Sequence, residues 1–379
     1  MENLAHTLLG LAMAEAGLES TTPLATTALI LSSNLPDLDL VMYPRGDALS
    51  YIKYHRGLTH SFIGLIALAC MLAVVLTLID RKIRLKRGPF LRPARPARIF
   101  WLALLGGLGH LLMDFTNSYG VRPLMPFSDR WFYGDLVFVV DPWIWLILGF
   151  SVVWFTLRQR ERPGQRRLIA LVWLAIGIPV SAVVALALRH PMADQPALSI
   201  VPRAVWFGGL AIVLVGLMFG WGQQGLGYAR WSLLFLVVYW GGMWIGHQSA
   251  ARQAARVRPA DVSASATWPE PANPLLWESV CAAPGKVFYR RDDLIHRVDE
   301  QADLDPDWEE KPSIDPAIAT ALERSNAGRT FMSFARMPSA EVIERPDGYS
   351  VTLRDARFGL KLQANLDREM NVESSVIRW

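Results

Sequence analysis

The chain has 379 residues, of which 52% are hydrophobic and only 19% charged, with 15 tryptophans and a formal net charge of +4. A soluble domain carries about a quarter charged residues, so this composition argues against a wholly soluble protein and for a membrane protein with a soluble part. The charge is unevenly spread: residues 273–379 hold 14 Lys/Arg against 19 Asp/Glu, a balance of −5 that leaves +9 for residues 1–272. That surplus lies on the apolar portion and is topological in character; no nucleic-acid partner is expected. Cys70, in an apolar run, and Cys281, in the polar tail, make neither a disulfide framework nor a cysteine-rich metal site. Met1 to His6 lack a basic region, and the apolar stretch behind them carries Glu15 and Glu19, so no cleavable signal peptide is expected.

In chain order, residues 4–16 and 23–35 read as two short apolar helices. Each is shorter than the ~20 residues that cross a bilayer, which suits a tilted or re-entrant hairpin. Asn34-Leu-Pro36 ends the second helix, because residues ahead of a proline leave the helical region. Residues 40–54 read as a polar loop. Six longer apolar runs follow as spans: Ser61–Ile79, Ile99–Phe115, Leu136–Leu157, Leu168–Leu188, Ala204–Trp221 and Trp231–His247. Several are edged by tryptophan, as interfacial anchoring predicts.

The connections set an orientation. Residues 80–98 hold eight Lys/Arg and residues 158–167 hold five, whereas 116–135 and 189–203 hold two each. The positive-inside rule places the first pair in the cytoplasm. His55 and His60, before the first span, then emerge with His110 and Asp114 on the non-cytoplasmic face, and the tail lies on that side too. Residues 249–273 read as a Pro-rich linker, and 274–379 as a small soluble α+β domain. Within it Val287-Phe-Tyr289 is strand-like, and Asp315-Pro316 opens a helix to about Ser325. Glu341–Glu344 and Tyr349–Leu353 form a hairpin around Pro346-Asp-Gly348, with further strands over Lys361–Leu366 and Glu373–Trp379. The expected fold is mainly α: a multi-spanning transmembrane helical bundle over 1–248 with that α+β domain appended.

Histidines and carboxylates at the mouths of apolar helices cost roughly 2.5–3.5 kcal/mol each to insert, and are retained where paired, metal-bound or facing a wet cavity. His110 and Asp114, four apart, share one helix face. Asp37-Leu-Asp39 either projects two carboxylates the same way in extended chain or offers one ligand and one partner behind it. In His55-Arg-Gly-Leu-Thr-His60, Gly57 permits a tight turn and Thr59 can cap the following helix. His6 adds a fourth imidazole. Each group taken alone also fits a helix cap or a satisfied structural residue; together they read as one divalent-metal site. The candidates are more than one tetrahedral ion needs, so that either two or three ions bind or some of the groups orient the ligands from behind. Mixed His/carboxylate sets suit Zn²⁺, with Mn²⁺ or Fe²⁺ as alternatives. Asp39, Asp135 and Asp141 are the candidate general bases, and Arg122 or Arg130 offers a grip on an anionic group. His190, His247 and His296 lack partners at metal spacing and read as structural or surface residues.

Asn34-Leu-Pro-Asp-Leu-Asp39, His55-Arg-Gly-Leu-Thr-His-Ser61, Gly109-His-Leu-Leu-Met-Asp114 and Val139-Val-Asp-Pro142 resemble the bacterial inner-membrane metal-dependent hydrolases of the YdjM/YfhP type. The likeness is close over about residues 1–150, and Asn273 to Trp277 and Leu353 to Phe358 look like the family's C-terminal part. The resemblance implies a metal centre of His6, Asp37, Asp39, His55, His60, His110 and Asp114, in a bacterial inner-membrane protein. A fainter likeness, in ligand order and helical scaffold, is to zinc-dependent phospholipases C.

The expected function is a membrane-bound hydrolase in which metal-activated water attacks an ester or phosphoester of a lipid or envelope-related substrate. The alternative is a non-enzymatic membrane protein whose metal site is structural or sensory, with a tail that binds a periplasmic partner. A transporter fits less well, because the acids and histidines cluster at one face and the spans from Leu136 onward hold almost none.

Overall fold

The computed structural model describes residues 1–42, 47–88, 90–149, 171, 175, 177–182, 184–185, 197–218, 226–294 and 308–379. The chain divides into two compact units. The first comprises Met1–Leu38, Leu58–Ile245 and Glu270–Pro274; the second comprises Asp39–Gly57, Gly246–Pro269 and Leu275–Trp379. In chain order the helices are α1 (Asn3–Glu15), α2 (Ala25–Ser32), α3 (Ala48–Tyr54), α4 (Phe62–Ile79), α5 (Pro96–Phe115), α6 (Ala197–Met218), α7 (Leu226–Arg256), α8 (Pro316–Leu322) and α9 (Asn326–Phe334).

In the first unit, local chemistry sets the helix ends. The Glu2 carboxylate accepts from Ala5 N at 2.9 Å and caps α1. Asn34, just past α2, donates to Ile30 O at 2.9 Å and to Thr7 Oγ1 on α1 at 3.0 Å, locking the short hairpin. Ser61, not Thr59, caps α4: its hydroxyl accepts from Gly64 N at 3.0 Å. Proline in the first turn opens α5, where its missing N–H costs nothing.

Helices α2 and α5 approach so closely that a Cβ on Gly106 would lie 2.0 Å from Ser32 Oγ and 3.0 Å from Leu29 O. Gly106→Ala is therefore expected to destabilise the helical unit by about 1–3 kcal/mol through overpacking. Thermal unfolding in detergent measures this, and an unchanged midpoint would contradict the close approach.

Among the described residues, two helices are long and apolar enough to cross a membrane, Phe62–Arg87 and Pro96–Phe115, and a shorter apolar one covers Ile200–Ala211. The first contains α4 and continues through a π-helical turn at Asp80–Arg84. There Asp80 pairs with Arg84 and accepts from Ala94 N at 2.8 Å, pinning the basic loop. Of the six expected spans, Leu136–Leu157 is described only as far as Gly149, and Leu168–Leu188 falls mostly outside the described residues. Ala204–Trp221 begins inside α6, and Trp231–His247 lies within the longer α7.

The second unit holds two four-stranded sheets, ordered β1-β2-β3-β4 and β5-β6-β7-β8. The strands are β1 (Ala264–Glu270), β2 (Asn273–Ala283), β3 (Lys286–Asp293), β4 (Glu309–Pro312), β5 (Ser339–Arg345), β6 (Gly348–Arg354), β7 (Lys361–Asp367) and β8 (Val372–Arg378). The hairpin β5–β6 is antiparallel, with Arg345 opposite Gly348 across the Pro346-Asp347 turn.

Three expectations need correction. Residues 249–273 are not a linker, because α7 runs to Arg256 and β1 begins at Ala264. The polar loop over 40–54 contains α3, capped by Asp47, whose carboxylate accepts from Ser50 N at 2.7 Å; α3 packs on α9 and β8. The helix begun at Asp315 ends at Leu322, and a second one, capped by Ser325 through Gly328 N at 2.9 Å, follows it.

The turn after β6 is built on a buried ion pair. Arg357 bonds both oxygens of Asp355 at 3.0–3.3 Å and donates to Phe334 O at 2.6 Å, and neither side chain is exposed. Asp355 also accepts from Arg336 N at 3.0 Å. Arg357→Ala strands that carboxylate without its cation, so a loss of about 3–5 kcal/mol is expected for this unit. Denaturant unfolding tracked by near-UV signal should read it, and a loss within about 1 kcal/mol would contradict it.

Candidate metal centre

Four of the sequence-predicted ligands converge in the first unit. His110 and Asp114 sit in the last turns of α5. His60 closes a short 3₁₀ turn, Leu58–His60, immediately before α4. Asp37 lies in the 3₁₀ turn Leu35–Met42 that follows α2. One ligand atom from each of Asp37, His60, His110 and Asp114 lies within 4.8 Å of every other. The spacings are short: His60 Nε2 to His110 Nε2 3.0 Å, His60 Nε2 to Asp37 Oδ1 3.3 Å, and both imidazole Nε2 atoms to Asp114 Oδ2 3.4 Å. His60, His110 and Asp114 are wholly buried.

The tautomers follow from the outer contacts. The Ser33 carbonyl can only accept, so the His110 Nδ1 atom 2.8 Å away carries the proton and Nε2 presents a lone pair. His60 Nδ1 is held by Thr59 Oγ1 at 3.0 Å. Two imidazole nitrogens 3.0 Å apart, at least one of them a bare lone pair, need a proton or a cation between them. The carbonyl and hydroxyl on the far ring nitrogens are the supports that metal-bound histidines use. Donor set and geometry therefore fit a divalent metal ion.

Desolvation alone would raise the Asp37 carboxyl, but the neighbouring His60 and His110 imidazoles outweigh it and hold Asp37 below the ordinary carboxylate range. At neutral pH it is an anion, as a ligand must be.

His6, on α1, stacks on the His110 ring with centroids 3.7 Å apart and places Nε2 3.5 Å from Asp114 Oδ1. Both its ring nitrogens are buried without a hydrogen bond in the structure. The α-amine of Met1 pairs with the same Asp114 oxygen.

Asp37 and Asp39 do not project the same way. At three residues per turn, positions two apart on a 3₁₀ helix point about 240° apart. Asp39 and His55 belong to the second unit, where Asp39 Oδ1 meets His55 Nδ1 at 3.0 Å and Oδ2 accepts from Arg56 N at 3.2 Å. The left-handed residue of that turn is Arg56, φ +57°, and not Gly57.

The candidate bases differ in their commitments. Asp141 caps the next helical stretch through Trp143 N at 2.8 Å and accepts from Tyr239 OH at 2.8 Å. Asp135 is buried in a left-handed conformation, φ +54°, and its neighbours are tied to the end of α5: Gly134 N to Phe115 O at 2.7 Å, and Leu136 N to Thr116 O at 2.8 Å. Arg122 lies over the Trp131 ring at 4.6 Å and Arg130 over Phe132 at 5.2 Å. His247 packs its ring against Trp277 at 5.8 Å; His190 and His296 lie outside the described residues.

Sequence reasoning did not find Ser33 and Thr59 as supports of the imidazoles. Their signal was present only as polar residues next to the ligand motifs.

A family model described as "YdjM inner membrane protein" matches residues 1–190, a stretch that contains all four converging ligands. An uncharacterised protein of Bacillus subtilis (strain 168), YfhP, is 29% identical over 130 residues, covering 34% of this chain and 36% of the relative. The chain thus spans about a third of the length of that curated relative. No solved structure matches.

Proposed function

The chain belongs to the YdjM inner membrane protein family, and on that premise we propose that it is a membrane-bound metal-dependent hydrolase. The observation that carries this reading is the convergence of Asp37, His60, His110 and Asp114 within 4.8 Å, with outer hydrogen bonds orienting both imidazoles. Those four residues would hold a divalent ion, zinc first and manganese or iron next. Bound there, such an ion supplies Lewis acidity and brings the pKa of water to about 7.

The remaining work falls to the chain. Ser33 and Thr59 keep the imidazoles aimed. Asp135, buried beside the end of the helix that carries His110 and Asp114, is the carboxylate we assign to take a proton from water. Its left-handed backbone is the kind of strain that is stored where function requires it.

The ligands lie at the ends of two apolar helices, and the basic loop at the other ends favours the cytoplasm. We therefore place the centre at the non-cytoplasmic side, within reach of an ester or phosphoester carried by a lipid or another envelope amphiphile. The rest of the bundle, about six spans in all, belongs to the same proposal.

The burial of His60, His110 and Asp114 also favours a second reading, a closed structural or sensory metal site in a non-enzymatic protein. Detergent-purified full chain separates the two when offered phosphomonoester, phosphodiester and carboxylic ester substrates with and without chelator. Chelator-sensitive turnover restored by added zinc or manganese supports the hydrolase. Bound metal without turnover on any class supports the structural site.

A further inference from the structure

The loop that follows α5 is closed and pinned. Asn117 and Val137 form a bridge at its base, and Val121 and Phe132 exchange two hydrogen bonds of 2.9 Å at its neck. Beyond the neck the tip folds on itself through Phe127 N to Leu124 O at 3.0 Å and Ser128 N to Leu124 O at 3.2 Å. Pro123 O accepts from Phe62 N at 3.1 Å, which fastens the loop to the first residue of α4.

This rigid tip spends its position on exposed apolar side chains: Phe127 is 83% exposed and Leu124 42%. Beside it Leu58, Phe62 and Ile63 are 46–52% exposed, so the patch is continuous with the outward surface of an apolar helix long enough to span a bilayer. Around the neck lies a collar of the half-buried Trp131 and Phe132 and the exposed Arg130, whose guanidinium lies over Phe132; Arg122, over Trp131, and Tyr119 are buried. An apolar tip above an aromatic and basic collar has the chemistry of the bilayer interface, where rings sit at headgroup level and cations meet lipid phosphate.

We propose that the loop over residues 121–132 is an interfacial wedge that inserts Leu124 and Phe127 into the lipid leaflet at the end of α4 and α5 that carries the His/Asp cluster. Its occupant is the bilayer itself: acyl chains against the tip and lipid phosphate against the collar. The loop's fixed height follows from its hydrogen bond to Phe62, because the level at which α4 enters the membrane then sets the level of the tip. The inference rests on the loop and the apolar helix alone and holds whether or not the chain is a hydrolase.

The test uses full-length chain with Cys70 and Cys281 replaced by alanine and Phe127→Cys labelled with an environment-sensitive fluorophore. It is reconstituted in vesicles of phosphatidylcholine with phosphatidylglycerol. A second label at Asp347→Cys, in the exposed β5–β6 turn, is the water-facing reference. Nitroxide-bearing lipid should quench the 127 label several-fold more than it quenches the 347 label, and aqueous iodide should do the reverse. Iodide quenching at 127 equal to that at 347, with no excess from nitroxide lipid, would overturn the wedge. A tip held by a second protein copy gives protection from both quenchers, which also overturns it. Phe127 is a surface residue, so the substitution leaves the fold intact; the unfolding midpoint of the labelled chain checks this.

Discussion

Asp135→Asn is expected to lower turnover by about 10²–10⁴-fold, the usual contribution of a positioned general base, while bound metal stays at the wild-type level. Asparagine keeps the size of the side chain and tolerates the left-handed backbone seen at this position, φ +54°, so the fold should survive. The two readouts together give the experiment its force. If activity and metal fall together, Asp135 is a ligand or a structural residue. If neither falls, the proton goes elsewhere.

The second large effect concerns the imidazoles. His110→Ala removes a wholly buried ligand and the bond that Ser33 O receives, so metal affinity should fall by more than the 10–100-fold typical of losing an outer support. Removing only an outer support, the Thr59 hydroxyl on His60, through Thr59→Val should produce just this smaller drop. Equilibrium dialysis with zinc ranks wild type, Thr59→Val and His110→Ala in that order. Equal affinity for wild type and His110→Ala would remove His110 from the centre.

Much of the centre was legible in the chain because helical spacing is a geometric statement. His110 and Asp114, four apart on an apolar run, had to share a face, and both lie in the buried set. The capping residue Asp315 and the hairpin around Pro346-Asp347 were legible for the same reason: each rests on local backbone chemistry. What depended on remote packing was not. The segment from Asp39 to Gly57 looked like a loop of the membrane portion, yet α3 buries Ile52 and packs on α9 and β8 in the C-terminal unit. Nothing in seven residues of mixed polarity states which surface will receive them.

The pair Asp37 and Asp39 failed differently. An extended chain and a 3₁₀ turn are equally open to Leu-Pro-Asp-Leu-Asp, and the choice sends the two carboxylates to different partners. The expected Pro-rich linker was a misreading of composition. Prolines 269 and 274 belong to β1 and β2, where strand ends tolerate a missing donor. Ser61 displaced Thr59 as the α4 cap, and that freed the threonine hydroxyl to hold His60.

X-ray absorption at the edge of the ion carried by purified wild-type chain addresses the ligand set itself. The account predicts a nitrogen and oxygen shell at about 2.0–2.2 Å, with the outer scattering of two imidazoles and no sulfur, and the loss of one imidazole in His110→Ala. Protein that carries no ion after zinc loading, or a spectrum that the substitution leaves unchanged, would contradict it.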